Sequence, residues 1–372
     1  MAWAHRPTLK NTYKMHRLKR FIKDFLFKIV QSLISIPFID LNKIHLAVVK
    51  KIENNEGVFL TEHKRPKYSR DFRIQPQKTR PHPKTAIVLQ GPILKENDFT
   101  YETVLFYANN FKDSIIIVST WHDENSVVLN KIKAAGAILV LNQPPSMPGI
   151  SNINYQIVSS INGILKAKEA GAEYVMKTRT DQRVYGLNVV GYFLNLIRLY
   201  PLKNVSAQKE RLIVPNINTF LYRLYGISDM LMFGNIEDMI LYWNADLDER
   251  VINTDDTYGF NIKSFGELRA CEIYLCTEFI KKTGKEIRWD FQSSWDVFAN
   301  NFCIVDYHSV DLYWPKYSPH AEIRNRYYSA NNTHQMLTFS DWISLYSSCY
   351  KLPAQGVLTY REGESFNDFN EE

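Results

Sequence analysis

One short stretch decides the fold: Tyr174-Val175-Met176-Lys177-Thr178-Arg179-Thr180-Asp181. Its first three residues are aromatic or apolar and favour a buried strand, which then ends in charged side chains. Because alternate residues of a strand share a face, we expect Lys177, Arg179 and Asp181 on one side. Ligands bind at the carboxyl ends of strands in open α/β sheets, so the stretch predicts a site for a phosphate-bearing substrate and a divalent metal. A surface strand end whose charges pair with each other is the competing interpretation.

The sequence before this stretch alternates strands and helices over short connections. Near-continuous apolar runs predict buried strands at residues 85–89, 114–118 and 137–141. The segments between and after them are predicted to be helices, at residues 101–111, 127–135 and 154–170. This alternation predicts an α/β fold with a mostly parallel sheet flanked by helices. No Gly-x-Gly-x-x-Gly or Gly-x-x-x-x-Gly-Lys-Ser/Thr motif follows the first strand, which disfavours dinucleotide and P-loop sites.

The pattern is less regular after Asp181. Strands are predicted at residues 211–215, 229–234, 287–291 and 302–307. Helices are predicted at residues 187–200, 236–243, 267–283 and 339–350, with Asn235 as the N-cap of the second.

Charge is distributed unevenly along the 372 residues. Residues 1–80 hold 18 Lys/Arg and 6 Asp/Glu, a net charge of +12, whereas the remainder carries a net charge of −6. A mildly acidic core argues against a nucleic-acid partner, and the basic start predicts an anionic partner such as a membrane surface. Residues 1–83 are therefore interpreted as a basic, helical N-terminal extension with a proline-spaced connector at residues 65–83.

Within that extension, apolar residues recur at helical spacing over residues 22–33, beside a cationic face. Such a helix can lie in the interface of an anionic membrane, or it can pack on the catalytic domain with its lysines in water. A second short helix is predicted at residues 44–52. No apolar run is long enough to span a bilayer. The four cysteines show no Cys-x-x-Cys pair, as expected for reduced thiols in a cytosolic protein.

Several motifs, in order, resemble the WavE lipopolysaccharide-synthesis family. They are Ile-Val-Leu-Gln-Gly-Pro (87–92), Ser-Thr-Trp (119–121), Asn-Ile-Asn-Tyr-Gln (152–156), Lys-Thr-Arg-Thr-Asp (177–181) and Met-Phe-Gly-Asn-Ile-Glu-Asp (232–238), with a looser match at Ala-Cys-Glu-Ile-Tyr-Leu (270–275). The resemblance implies a glycosyltransferase with a GT-A-like, Rossmann-type fold. It implies a nucleotide-sugar-binding half at residues 84–245 and an acceptor-side half at 246–350. An acidic tail, expected to be disordered, follows at 351–372.

A GT-A-like site needs a sheet edge that holds the nucleotide. The candidate nucleotide-sugar-binding residues, besides Lys177 and Arg179, are Gln90, Gly91 and Pro92 after the first strand, Ser119 and Trp121 after the second, and Asn154 and Gln156 at a helix start. Backbone and amide groups, a hydroxyl, a stacking ring and a positive helix end suit such a ligand. Ordinary turn or capping chemistry is the alternative for each residue.

The metal prediction departs from the usual Asp-x-Asp signature, because this chain has Arg179-Thr180-Asp181. A guanidinium has no acceptor atom, so Asp181 is the one candidate ligand of the motif for Mg²⁺ or Mn²⁺. Lys177 and Arg179 are the alternative means of neutralising the diphosphate directly.

Glu272 is the predicted general base for the acceptor hydroxyl, since it opens an apolar helix and matches an acidic position of the family. Asp255 and Asp256 are rivals, although a solvated acidic loop is the simpler interpretation of that pair. His308 and His320 are candidates to complete a metal shell.

The resulting hypothesis is a cytoplasmic glycosyltransferase at the inner face of the cell membrane. It would move a sugar from a nucleotide-sugar donor to a lipopolysaccharide, capsule or other surface-glycan acceptor. Two alternatives stay open: a sugar-phosphate or nucleotidyl transferase of the same pathway, and a non-catalytic scaffold for polysaccharide assembly.

Overall fold

The computed structural model describes residues 28, 32, 40–57, 59–72, 82–203, 207–251, 261–270, 272–315 and 335–347. The chain divides into two compact units, Met1–Arg65 and Pro66–Glu372. No helix in these described ranges is both long enough and apolar enough to cross a bilayer.

The first unit contains helix α1, Leu41–Glu56. Asp40 caps its start by accepting hydrogen bonds from the N–H groups of Asn42 and Lys43, and Gly57 ends it at a left-handed φ of 67°. The helix predicted at residues 44–52 is thus confirmed and extends further in both directions. Most of the basic segment predicted to form a membrane-binding helix lies outside the described residues.

The second unit is built on a seven-stranded sheet in the order β3-β2-β1-β4-β7-β6-β8. These strands are β1 Thr85–Gln90, β2 Ser114–Trp121, β3 Ile138–Asn142, β4 Tyr174–Arg179, β6 Leu212–Pro215, β7 Met232–Asn235 and β8 Phe302–Val305. The pairs β1–β2, β2–β3, β1–β4 and β6–β8 are parallel, whereas β7 runs antiparallel to both β4 and β6. The predicted α/β class with a mostly parallel sheet is confirmed.

Helices cover the sheet. They are α2 Phe99–Asn110, α3 Ser126–Ala134, α4 Ile153–Glu169, α5 Val189–Leu199, α6 Ile236–Trp243, α7 Ile262–Leu268, α8 Glu272–Lys282, α9 Phe291–Asn301 and α10 Phe339–Tyr346. The Asn235 side chain accepts a hydrogen bond from the N–H of Glu237, so the predicted cap of α6 is confirmed. Helix α4 packs against β1 and β2: a Cβ added at Gly163 would lie 2.5 Å from the Val88 side chain, so only glycine fits there.

One predicted helix begins later than expected, and one predicted strand is wrong. The helix predicted at residues 267–283 is formed as α8, Glu272–Lys282, whereas residues 267 and 268 end α7, where Arg269 adopts a left-handed φ of 55°. The strand predicted at residues 287–291 is not formed. An alternation of apolar residues suggested it, but Asp290 instead caps helix α9 by accepting from the N–H of Ser293.

A small antiparallel sheet joins distant parts of the unit. Strand β5, Arg183–Val184, pairs with β9, Leu312–Tyr313. The buried Arg183 guanidinium also donates to the carbonyl of Lys67 at 2.8 Å, so part of the predicted connector packs on this unit. The pairing of β5 with β9 places Trp314 beside Asp181, which follows the carboxyl end of β4.

Candidate active site

The carboxyl ends of β1, β2 and β4 meet at one edge of the sheet. In the parallel register, Gln90 pairs with Ser119 on one side and with Arg179 on the other. Strand β1, which lies between β2 and β4, is fully buried because both of its faces are covered, as its apolar run predicts. Three of the predicted motifs therefore come together, as expected for strands whose ends share an edge.

Gln90 and Gly91 form the turn at the centre of this edge. The Gln90 side chain is buried, and its Oε1 accepts a hydrogen bond from Ser159 Oγ at 2.7 Å. Gly91 has a φ of 112°, and its N–H donates to the carbonyl of Ser119 at 3.1 Å. A Cβ at Gly91 would lie 3.2 Å from Thr180 Oγ1, so glycine allows this close approach of the turn to the end of β4.

Pro92 continues the same turn towards β4. The Thr180 hydroxyl donates to the Pro92 carbonyl at 2.5 Å, and Thr100 Oγ1 donates to the Thr180 carbonyl at 2.9 Å. These bonds fix the backbone between Arg179 and Asp181 against the β1 turn.

Ser119 and Trp121 differ in what they offer to a ligand. Ser119 is fully buried, and its Oγ accepts from Asn142 Nδ2 at 2.9 Å, so in this conformation it orders the strand ends. Trp121 is half-buried and packs edge-on against Tyr155 with ring centroids 5.2 Å apart.

Asn154 and Gln156 lie in the first turn of α4. The buried Asn154 amide donates to the carbonyls of Met147 and Asp248 and accepts from the N–H of Asp248 at 2.7 Å. These bonds connect the start of α4 to a later loop, so Asn154 has the structural role that was the alternative to nucleotide binding. Gln156 Oε1, by contrast, is buried and has no hydrogen-bond partner within the described part of the chain.

Arg179 and Asp181 form a bidentate ion pair at the end of β4. Arg179 Nε lies 2.7 Å from Asp181 Oδ1, and a second guanidinium nitrogen lies 2.8 Å from Oδ2. Trp314 Nε1 also donates to Asp181 Oδ2 at 3.2 Å, and the guanidinium carbon lies 5.4 Å from the Trp314 ring. The two side chains remain 20% and 18% exposed, so the paired charges stay accessible at the edge. The sequence analysis did not predict Trp314 as a site residue, because the short β5–β9 pairing that places it beside Asp181 has no clear sequence pattern.

Lys177 is fully buried behind this edge. Its Nζ donates to the backbone carbonyl of Asp229 and lies 4.1 Å from the centre of the Trp243 ring. Burial lowers the pKa of Lys177 to about 7, and the Arg179 charge also lowers it, while Asp229 and Asp181 oppose the shift. Lys177 therefore does not reach the surface in this conformation, and its predicted contact with the donor remains a prediction.

Asp229 is an acidic residue of this region that the sequence did not single out. It is 5% exposed and lies three residues before β7, which runs antiparallel to β4. That direction brings the start of β7 to the same edge as the end of β4, and it is not readable from the sequence.

Glu272 is the first residue of α8 and is half-buried. Burial raises the pKa of its carboxyl above the ordinary value, and the negative charge of Asp229 adds to the rise, whereas Arg223 opposes it. The helix that carries the predicted base packs on α6 through Phe279 and Tyr242, whose ring centroids lie 5.3 Å apart. The rivals Asp255 and Asp256 and the candidate metal ligand His320 lie outside the described residues. His308 is exposed and packs on Tyr307, with ring centroids 3.8 Å apart.

The described residues do not fit a divalent-cation site. Asp181 already receives three N–H donors, and the positive guanidinium bound to it disfavours a second cation. Nor do the described ranges hold any group of three or more His, Cys, Asp or Glu side chains placed to bind a metal ion.

Comparison with known proteins gives one family. The sequence profile of the family described as WavE lipopolysaccharide synthesis matches residues 85–362. No curated protein matches the chain.

Solved structures show only distant similarity. A Desulfovibrio desulfuricans protein described as a candidate nucleotide-diphospho-sugar transferase is 11% identical, with a TM-score of 0.30, covering 54% of this chain and 76% of that one. Glucosyl-3-phosphoglycerate synthase from Mycobacterium tuberculosis, solved with Mn²⁺, UDP and phosphoglyceric acid, is 12% identical, with a TM-score of 0.29, covering 55% and 80%. A Thermus thermophilus protein described as mannose-1-phosphate geranyltransferase is 14% identical, with a TM-score of 0.24, covering 37% and 44%.

Proposed function

Because the chain belongs to the WavE lipopolysaccharide-synthesis family, we propose that it is a glycosyltransferase that moves a sugar from a nucleotide-sugar donor to a surface-glycan acceptor. The family match supports a transferase enzyme of lipopolysaccharide synthesis. One observation carries the site: Arg179, paired with Asp181, lies at the sheet edge where the ends of β1, β2 and β4 meet. This is the position where open α/β sheets bind their ligands.

In the proposal, Arg179 binds the diphosphate of the donor. A guanidinium offers a planar fork of N–H donors that matches phosphate oxygens, and it stays charged at any working pH. Asp181 holds that fork in a fixed plane through its two contacts, and Trp314 holds Asp181. A preorganised cation of this kind stabilises the negative charge that develops on the leaving nucleoside diphosphate.

The other predicted nucleotide-sugar residues fall into two groups. Trp121 is only partly buried, so its indole face is suited to direct contact with the nucleotide. Gln156 Oε1 is buried but has no hydrogen-bond partner within the described residues, so its amide keeps an unused acceptor for a ligand N–H. Gln90, Gly91, Pro92, Ser119 and Asn154 act instead by fixing the edge, since their polar groups are used within the chain.

Glu272 is the proposed general base. A carboxylate whose pKa is raised towards the working pH accepts a proton from a hydroxyl more readily than an exposed one does. The acceptor hydroxyl would lose its proton to Glu272 as its oxygen bonds to the anomeric carbon, and the donor's bond from that carbon to phosphate would break.

The acceptor is proposed to be a lipopolysaccharide, capsule or related glycan, reached at the inner face of the cell membrane. Supporting this, residues 1–80 carry a net charge of +12, and α1 exposes apolar side chains: Leu41 is 50% exposed and Val48 is 50% exposed. Liposome flotation with anionic and neutral vesicles tests the membrane step. Equal flotation of the full chain and a chain lacking residues 1–65 would contradict it.

The transfer itself is tested by product analysis with labelled nucleotide sugars. Arg179→Ala and Asp181→Asn are expected to abolish turnover while circular dichroism and melting stay close to those of the parent chain. The exposed Lys133→Ala variant is the control and is expected to keep full turnover. Full activity in both site variants would contradict the assignment.

A non-catalytic scaffold is the second candidate, because Asp181 is already engaged by Arg179 rather than standing open as a metal ligand. A scaffold would bind no nucleotide sugar in calorimetry. A sugar-phosphate or nucleotidyl transferase would instead leave the phosphate in the product, which mass spectrometry of the glycan detects.

A further inference from the structure

Asp248 holds the start of α4 through three hydrogen bonds. Its carboxylate is buried, and Oδ2 accepts from the N–H of Ile150 at 3.3 Å, in the loop before the helix. Its backbone N–H donates to Asn154 Oδ1 at 2.7 Å, and its carbonyl accepts from Asn154 Nδ2 at 2.9 Å. Asp248 is therefore bonded to the helix turn that carries the candidate nucleotide-sugar residues Asn154 and Gln156.

Arg250 extends these bonds to the turn between α7 and α8. Its Nε lies 2.7 Å from Asp248 Oδ1, and a second guanidinium nitrogen lies 3.0 Å from Oδ2, so the two side chains form a bidentate ion pair. The same guanidinium donates to the carbonyls of Leu268 and Arg269, at 2.7 and 3.0 Å. A planar fork of N–H donors binds the carboxylate and both carbonyls at once, which a single ammonium group does not match.

The turn between α7 and α8 depends on these bonds from outside it. Arg269 has a left-handed φ of 55°, which is unfavourable for a residue with a side chain, and the last carbonyls of a helix have no partner within it. Arg250 supplies donors to two of them. The Arg269 side chain then donates to Thr277 Oγ1 at 2.8 Å and pairs with Glu278, both on α8. The position of α8 is thus coupled to the Arg250 guanidinium.

Glu272, the proposed general base, begins α8 three residues after Arg269. Tyr274, in the same helical turn, contacts both guanidinium groups, because its ring centre lies 5.2 Å from that of Arg250 and 4.8 Å from that of Arg269. The Tyr274 hydroxyl donates to the Asp246 carbonyl at 3.0 Å. Residues before and after Glu272 in the chain are therefore fixed to the segment 246–250.

We propose that Arg250 is a positioning residue for Glu272, and that the Asp248–Arg250 pair holds this base in register with the start of α4, where the nucleotide sugar binds. The inference rests on the proposed glycosyl transfer. In that reaction the acceptor O–H proton passes to a Glu272 oxygen, and the acceptor oxygen bonds to the anomeric carbon. The bond from that carbon to phosphate breaks, and its electron pair leaves with the nucleoside diphosphate. Base and donor must be placed precisely for this step, since a misplacement of about 1 Å can cost about 100-fold in rate.

Steady-state kinetics of the full chain, well below the melting temperature of every variant, tests the role of Arg250. In Arg250→Met, kcat is expected to fall about ten-fold or more while the donor KM stays within about two-fold, because the bonds from Asp248 to Asn154 remain. Arg250→Lys is expected to restore little of kcat. The control is Arg288→Met, whose exposed guanidinium pairs with Glu286, and it should keep full kcat. Full kcat in a folded Arg250→Met or Arg250→Lys chain would overturn the inference.

A double-mutant cycle tests whether Asp248 acts on Glu272 through Arg250. The loss of kcat in Asp248→Asn/Arg250→Met is expected to equal that in Arg250→Met alone, whereas additive losses would overturn the inference. The double variant leaves no buried carboxylate without its counter-ion, so it is the better-folded probe. If Arg250→Met does not fold, full kcat in the double variant would overturn the inference in the same way.

Hydrogen–deuterium exchange of the chain without substrate measures the turn itself. In Arg250→Met, exchange of the Ile273 N–H, which donates to the Ala270 carbonyl, is expected to be about five-fold faster or more, while exchange in β1 stays unchanged. Unchanged exchange at Ile273 would overturn the inference. Because this measurement needs no substrate, a chain that transfers no sugar would contradict the proposed function without deciding whether Arg250 holds the turn.

Discussion

Replacing the buried Lys177 by methionine is expected to remove a defined pH dependence from the free energy of unfolding. Burial lowers the Lys177 pKa from 10.5 to about 7. The unfolded chain therefore binds one more proton than the folded chain between these two values, so the wild-type free energy of unfolding rises with pH across that window. This gain in stability is lost as the pH falls towards 7, because the buried Lys177 side chain then becomes protonated and charged.

The size of the effect follows from the two pKa values. Each pH unit of full proton difference is worth about 1.4 kcal/mol. Between pH 7.0 and 9.5, wild type should gain about 3 kcal/mol of stability relative to Lys177→Met, which has no titrating group at that position. Relative to wild type, Lys177→Met is therefore more stable at pH 7 than at pH 9.5. Loss of the bond to the Asp229 carbonyl and of the contact with the Trp243 ring lowers the stability of the variant separately.

Urea denaturation of both chains at several pH values between 6.5 and 9.5 measures this difference. Lys133→Met is the matched control, because the Lys133 side chain is exposed and its ammonium stays in water in both states. A stability difference between wild type and Lys177→Met that stays constant over this range would refute the reasoning.

The remaining predictions concern the edge itself. Gly91→Ala should lower the free energy of unfolding by about 1–2 kcal/mol, because alanine is strained at a φ of 112°. The control is Gly191→Ala in α5, where a Cβ meets open space, and this variant should be neutral or more stable in denaturant melts. Equal losses of stability in the two variants would contradict this prediction. Trp314→Phe removes the indole N–H that donates to Asp181 while keeping an aromatic ring. We expect the Kd of the nucleotide sugar, measured by calorimetry, to rise about five-fold, which corresponds to a loss of about 1 kcal/mol of binding free energy. An unchanged Kd would show that Trp314 does not position Asp181.

Much of the sheet was predictable because its strands follow local rules. The apolar runs that became β1 and β2 are largely buried, as is typical of parallel strands covered on both faces, whereas the edge strand β3 is half-buried and its Leu141 is exposed. Their carboxyl ends had to share an edge, so Gln90, Ser119 and Arg179 were predicted together without any knowledge of long-range contacts.

The remaining features of the fold and of the site depend on tertiary contacts that leave no local pattern in the sequence. Arg269 breaks a helix in a left-handed conformation that arginine rarely adopts, so nothing in its neighbours predicted the break. Asp229 reaches the site through the antiparallel direction of β7, and Trp314 through the two-residue pairing of β5 with β9. Burial of Lys177 was also not predicted, because a lysine at a strand end is normally solvated.

The most direct test of the central claim is calorimetric titration of the full chain with nucleoside diphosphates and their sugar conjugates, in the presence of EDTA. The account predicts binding by wild type to at least one of them, and at least ten-fold weaker binding by Arg179→Ala, since Arg179 carries the diphosphate contact. Absence of binding by wild type, or equal binding by Arg179→Ala, would contradict the claim that this sheet edge binds a nucleotide sugar.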